Sequence, residues 1–362
     1  MSSTGVDKVL LAAPRGFCAG VEMAIKALAW MVRAFEPPVY CYHEIVHNQL
    51  VVDRFRRLGV VFVDDIAEVP DGKPIMLSAH GSAPDVVAAA RDKGSYVVNA
   101  VCPLVTKVHH EVKVRAGKGY RIVYVGHEGH EEAVGTMAVA PDAIDLVESI
   151  AQVDALADRA GAAAGVDDAD HGDREVPVAL LAQTTLSHRE WSAIADRAAE
   201  RFPGLWRPGR SDLCFATTNR QSALAEIAPR SDAVVVIGSA NSSNTRALER
   251  LAVESGCERV FRINAADELP DDLTGVVGVT AGASAPEELI DEVIARLAPT
   301  EGVEEVRITE EDEYFPPPRE LRDLLAGVDV AATLGFGGSI PDRPSLQDRQ
   351  LAASDVLAML TP

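Results

Sequence analysis

The sequence predicts an α/β protein built from three pseudo-equivalent units, each with a small parallel sheet, arranged around one shared centre. Two observations carry this. Short apolar runs alternate with helical patterns at a spacing that fits parallel strands joined by crossover helices. Three segments also repeat one design, beginning at Ile75, Leu180 and Val277. Each is an apolar run, a small polar loop, and Ser-x-x-Asp/Glu opening a helical pattern, with serines at Ser82, Ser187 and Ser284. These read as capping boxes at helix starts. Each box lies downstream of one cysteine: Cys18, Cys102 and Cys214.

The elements follow in order. A strand over residues 9–13 leads to Cys18, and a helical period follows from Val21 to Trp30. A strand over 39–46 ends at His47 and Asn48, and a further strand over 96–99 follows the box at Ser82. The second unit opens at Cys102. Pro103 suits the first helical position, which places Cys102 at an N-cap. A strand over 121–125 runs into the loop GHEGHEE, residues 126–132, and the box at Ser187 comes later. Residues 155–175 are small, acidic and aperiodic, and are expected to form a mobile surface insertion. The third unit opens at Cys214, with a strand over 233–237, a polar loop over 238–245, and a helix over 287–297 after the box at Ser284. Past Arg322 the pattern weakens into a Gly/Pro-rich stretch over 335–344, where partial disorder is expected. The expected divisions are 8–102, with the N-terminal strand and Cys18, then 103–213, 214–300, and a C-terminal segment over 301–362.

At 362 residues the chain suits two or three such units. The net charge of −21 disfavours nucleic acid and anionic membranes as partners. No apolar run reaches the roughly 18 residues that span a bilayer, and the first residues do not read as a signal peptide. Five cysteines, an odd number, argue against a disulfide framework and fit a reducing cytoplasm.

Cys41 and Cys257 read as buried apolar residues. Cys18, Cys102 and Cys214 differ, because they share one position at strand-to-helix turns. A helix N-terminus favours the thiolate that metals need. No C-x-x-C pair is present. Three distant thiolates brought together could hold zinc, or an iron–sulfur cluster with one iron lacking a protein ligand. His47, His80 and His130 fall in loops at strand ends and point to a shared pocket. His43, His109, His110, His127, His171 and His188 read as ordinary surface or core histidines. Ser242, Ser243 and Asn244, where a strand gives way to a helix, read either as an anion cradle or as a plain N-cap, and Ser284 carries the same ambiguity. Glu132 is a candidate acid with a raised pKa, and Glu131 beside it reads as a decoy. No Walker motif and no G-x-G-x-x-G after a strand supports a nucleotide.

Taken together these residues resemble one family, the 4-hydroxy-3-methylbut-2-enyl diphosphate reductases, also called the LytB or IspH family. The matching strings are PRGFCAG from Pro14, HEIVHN from His43, SAHG from Ser78 and CPLVTKVH from Cys102. GHEGH from Gly126, QTTLS from Gln183, CFATTNRQ from Cys214, NSSN from Asn241 and TAGASAP from Thr280 follow in family order. The resemblance implies a [4Fe–4S] cluster on Cys18, Cys102 and Cys214, one iron without a protein ligand, and three lobes around it. It implies that His47, His80, His130, Ser242, Ser243, Asn244 and Ser284 bind the substrate's diphosphate. Thr184 lies near the substrate hydroxyl by the same likeness, and Glu132 delivers a proton. The implied reaction is reductive dehydroxylation to isopentenyl and dimethylallyl diphosphates, the last step of the non-mevalonate pathway, with a ferredoxin or flavodoxin as electron donor. Two readings compete: a zinc-dependent phosphohydrolase on the same cysteines, and a non-catalytic iron–sulfur redox sensor. The chain departs from the family pattern in Glu131, where many members have proline, in the acidic insertion, and in the tail of roughly 40 residues after Arg322.

Overall fold

The computed structural model describes residues 5–93, 96–164, 176–209, 211–336 and 348–360. In chain order it begins with β1 (Val6–Ala13), α1 (Ala19–Ala34), β2 (Val39–Tyr42), α2 (Gln49–Arg57), β3 (Val60–Val63), β4 (Ile75–Leu77), α3 (Pro84–Asp92) and β5 (Val97–Asn99). Then come α4 (Pro103–Gly117), β6 (Arg121–Val125), α5 (Glu131–Met137), β7 (Ile144–Val147), α6 (Ile150–Ala164), β8 (Val178–Ala182) and α7 (His188–Arg201). The remainder is α8 (Phe215–Ile227), β9 (Ala233–Ile237), α9 (Ser243–Glu254), β10 (Val260–Ile263), β11 (Gly275–Ala281), α10 (Glu287–Leu297), β12 (Val303–Arg307), α11 (Arg319–Phe336) and α12 (Ala353–Met359).

The strands form three sheets, ordered β3-β2-β4-β5, β7-β6-β8 and β10-β9-β11-β1-β12, and the pairings within them are parallel. Each sheet carries apolar residues on both faces. Cys41 and Met76 pack under α1, while Ile75 and Leu77 face the other way toward Ala90. This two-sided burial explains why the strands read as continuous apolar runs rather than alternating ones. The α/β expectation with small parallel sheets therefore holds.

Several expectations need correction. The N-terminal strand β1, placed with the first unit, lies in the third sheet between β11 and β12. Val9 and Leu11 enter one core of that sheet, and Leu10 and Ala12 the other. An apolar run identifies a buried strand but not the sheet that buries it. The strand β12, assigned to a separate C-terminal segment, closes the edge of the same sheet. The strand expected over 39–46 stops at Tyr42, because His43 takes a left-handed φ of 59° and turns the chain toward α2.

The expected insertion over 155–175 is helical as far as Ala164, where α6 packs on lobe two; residues 165–175 lie outside the described residues. The tail, expected to be partly disordered past Arg322, contributes α11 and α12. Ala353, Leu357 and Leu360 are buried in the core under α1. Lys26 of α1 is also buried and donates to the carbonyls of Asp348 and Leu351, and the Glu22 carboxylate accepts from the Ala353 N–H. Glu22 thus caps α12 from another helix, a partner no local pattern reveals. Of the Gly/Pro-rich stretch, residues 337–344 lie outside the described residues. No helix among the described residues is long and apolar enough to cross a membrane.

Candidate active site

Each of the three cysteines is the N-cap of a helix: Cys18 of α1, Cys102 of α4 and Cys214 of α8. Each backbone N–H is held by one of the three repeated loops. Cys18 donates to the Ala283 carbonyl at 3.2 Å, Cys102 to Ala79 at 3.0 Å and Cys214 to Thr184 at 3.0 Å. The loop that fixes a cysteine is the one preceding it in cyclic order, and the helix after the cysteine crosses to the next lobe. Cys18 is therefore seated by lobe three, although its helix packs in lobe one. This is a threefold arrangement of interactions, and it brings the three thiols into one cavity of about 110 Å³.

The thiols are close and free of disulfides. A Cβ at Gly20 would lie 2.8 Å from the Cys102 sulfur and 3.9 Å from that of Cys18. Burial, then the neighbouring Cys18 sulfur, pushes the Cys102 thiol up to about 12. Cys214 is pushed to about 12 by the same two causes. The helix caps expected to favour the thiolate are present, but at Cys102 and Cys214 desolvation outweighs them. Three part-buried cysteines with this disposition fit a cationic centre. The Cys214 sulfur also accepts from the Thr217 N–H at 3.2 Å and lies 2.9 Å from its hydroxyl.

Every site residue expected from the sequence lines this cavity: the three cysteines, His47, His80, His130, Glu132, Thr184, Ser242, Ser243, Asn244 and Ser284. Glu132 is buried, and both its oxygens meet Thr184. Oε1 accepts from the Thr184 N–H at 2.7 Å and Oε2 from its hydroxyl at 2.9 Å. Burial raises the carboxyl to about 7 against these hydrogen bonds, and the charge of Asp212 adds to the rise. An acid poised near neutrality with a hydroxyl on it can pass a proton through that hydroxyl.

His47 and His80 stack with ring centroids 4.0 Å apart, and His130 meets both edge-on. His130 caps α5, its Nδ1 accepting from the Glu132 N–H. That bond puts the proton of the neutral ring on Nε2. Burial, then the charges of His80 and His47, lowers His130 to about 3, so it is a neutral donor near pH 7. Ser242 caps α9, with Ser243 and Asn244 in its first turn, all buried. The cradle and the cap are thus one structure. Both side-chain polar atoms of Asn244 are buried with no hydrogen-bond partner among the described residues, as a ligand-binding amide would be. Ser284 caps nothing: α10 begins after Pro286, and the Ser284 hydroxyl donates to the His47 carbonyl at 3.0 Å, joining lobes three and one. Ser82 likewise caps nothing, since Ala83 and Pro84 start α3; only Ser187 acts as its box predicts.

Sequence reasoning missed four contributors. Glu131 stays off the acid–hydroxyl pair, as read, but meets a histidine instead: its Oε2 lies 2.8 Å from His80 Nδ1 without the alignment of a hydrogen bond, an ion pair when His80 is protonated. Arg220, fully buried in α8, donates to the Gly16 and Phe17 carbonyls and pairs with Glu311 at 3.0 Å, clamping the Cys18 loop to the Cys214 helix. Gln183 donates to the Ser243 hydroxyl across lobes, and Phe315, from the segment before α11, closes one wall. Gln183 and Arg220 stood inside the matching strings; nothing local marked Phe315.

The family model described as "LytB protein" matches residues 9–298. A 4-hydroxy-3-methylbut-2-enyl diphosphate reductase of Leifsonia xyli subsp. xyli is 45% identical over 336 residues, 91% of this chain and 96% of that protein. One of the same name from Rhodopirellula baltica is 45% identical over 88% of this chain and 97% of its own length. The solved E-1-hydroxy-2-methyl-but-2-enyl-4-diphosphate reductase of Plasmodium falciparum superposes with a TM-score of 0.81 at 28% identity, covering 90% of this chain and 99% of the other.

Proposed function

The chain belongs to the LytB protein family, and on that premise we propose that it reduces (E)-4-hydroxy-3-methylbut-2-enyl diphosphate to isopentenyl and dimethylallyl diphosphates. The reaction removes the allylic hydroxyl as water, using two electrons and two protons, and would close the non-mevalonate route to isoprenoids.

Cys18, Cys102 and Cys214 would hold a [4Fe–4S] cluster. When bound, it supplies the electrons and an iron with no protein ligand to polarise the substrate's hydroxyl. The protein does the rest. Hydroxide leaves poorly, and Glu132, protonated near neutral pH, passes its proton through the Thr184 hydroxyl to the departing oxygen. His47, His80, His130, Ser242, Ser243, Asn244 and Ser284 would hold the diphosphate. None of the described residues lining the cavity is lysine or arginine, so imidazole N–H groups, hydroxyls, the Asn244 amide and the first turn of α9 must carry most of the anion's field. In a closed, water-poor cavity such donors count for more than in solution.

The observation that carries this reading is the convergence of three thiols, an acid–hydroxyl pair and a donor-lined wall in one cavity. A reduced ferredoxin or flavodoxin is the proposed donor, and five free thiols fit a reducing compartment such as the cytoplasm. The test is anaerobic purification with iron and sulfide counting, followed by turnover with a reduced donor. About four irons and four sulfides per chain and formation of both products are expected. A colourless zinc protein, or an iron–sulfur protein that neither binds nor consumes the substrate, would overturn it.

A further inference from the structure

The first turn of α5 presents two adjacent acids in different directions. Glu132 turns to Thr184, while Glu131 turns to the stacked histidines, with Oε2 2.8 Å from His80 Nδ1 and Oε1 3.9 Å from His43 Nδ1. The approach is tight. A Cβ at Gly135, one turn further on, would lie 2.7 Å from the Gly81 carbonyl oxygen, so α5 sits directly on the loop that carries His80.

We propose that Glu131 is a positioning residue: its carboxylate holds the His80 ring by Nδ1 and keeps it as an imidazolium when substrate is bound, so that the opposite nitrogen gives the diphosphate a charged N–H. This rests on the reading of His80 as a diphosphate ligand, and deepens it. The cavity needs such a device. None of the described residues in its wall is lysine or arginine, and His47 stacks on His80 at 4.0 Å, which opposes a second proton unless a negative charge stands nearby.

The groups facing His80 are few. His47 and His43 come from the stretch before α2, with Glu44 beside His47 and Asp64 beside His43. Glu131 and His130 come from α5, and His109 of α4 lies against Gly81. Burial and then His47 depress His80, whereas Glu131 pulls it back up. Burial alone would raise the Glu131 carboxyl. The His80 contact, with the charges of His80, His47 and His43, brings it down to about 2, so it is ionised throughout the working range. The imidazolium then forms from neutral His80 by taking up one proton as the anion binds.

The experiment compares the holoenzyme with Glu131→Gln and Glu131→Asp between pH 6 and 8.5. Glu131→Gln should raise KM about tenfold at pH 8, with a much smaller fall in kcat, and the gap should narrow as the pH falls, because protonating His80 against its burial then costs less without the carboxylate. Glu131→Asp should recover part of the loss. Calorimetry with inorganic pyrophosphate in buffers of different ionisation heat should show proton uptake on binding by the wild type, and less uptake by Glu131→Gln. An unchanged or lower KM for Glu131→Gln would overturn the inference, because a carboxylate that merely repels the phosphate is better removed. A KM gap independent of pH would overturn it too, as a packing effect. A wild type that binds pyrophosphate with proton uptake but does not turn over leaves this inference standing and defeats the proposed reaction. No pyrophosphate binding defeats both.

Discussion

At the scale of single residues the proposed chemistry concentrates on Glu132. Its carboxyl is desolvated to about 7, and both oxygens are committed to Thr184. Glu132→Gln keeps the shape and one acceptor but has no proton to give. It should retain iron, sulfide and substrate affinity while kcat drops on the order of 10²- to 10⁴-fold, the range a positioned acid contributes. The sign with pH follows from the protonated form being the active one. Wild-type kcat should hold below about pH 7 and decline above it, and the residual rate of Glu132→Gln should lose that decline. A wild-type kcat that rises through this range would remove Glu132 from the role. The family resemblance implied Glu132 as the acid, and its carboxyl does lie on Thr184. The same reading dismissed Glu131, since its value lies in a contact with His80, a residue from a different lobe.

At the scale of elements, the recurring device is a helix whose N-cap is a cysteine and whose cap N–H is seated on a neighbouring loop. Much of this was legible. Pro103 marked the cap at Cys102, and the apolar runs marked the strands. The serine boxes were half legible. In Ser82-Ala-Pro-Asp85 and Ser284-Ala-Pro-Glu287 the proline forces its predecessor into extended backbone, so the helix starts past the serine. The box without proline caps normally at Ser187. What the pattern concealed was sheet membership: β1 is apolar on both faces, and nothing local chooses between two sheets. The close packing of these caps yields a sharp prediction at Gly20 in the first turn of α1. An added Cβ would press on the Cys102 sulfur at 2.8 Å. Gly20→Ala should therefore displace a proposed ligand, lowering iron content by more than half under anaerobic reconstitution while far-ultraviolet circular dichroism stays native. Full iron loading in Gly20→Ala would show that the sulfur has room to move.

At the scale of the molecule, the three lobes meet through bonds that form a ring. Cys18 leans on lobe three, Cys102 on lobe one and Cys214 on lobe two, while Ser284 and Gln183 add cross-lobe hydrogen bonds. Arg220 belongs to the same ring, with no exposed surface and its guanidinium spread over the Cys18 loop. A centre held by all three thiols would bind the native arrangement and not the unfolded chain, so its loss should lower stability by linkage. Because the ligands act as one unit, their removal should not be additive. Cys18→Ser, Cys102→Ser and Cys214→Ser should each cost most of the bound iron and depress Tm by similar amounts. A double cysteine variant should be scarcely worse than either single one. The wild type stripped of metal should melt close to the variants, within a few degrees. Additive decrements in Tm across the single and double variants would mean that the thiols stabilise their own lobes separately, and the ring would then be a set of independent contacts rather than one shared centre.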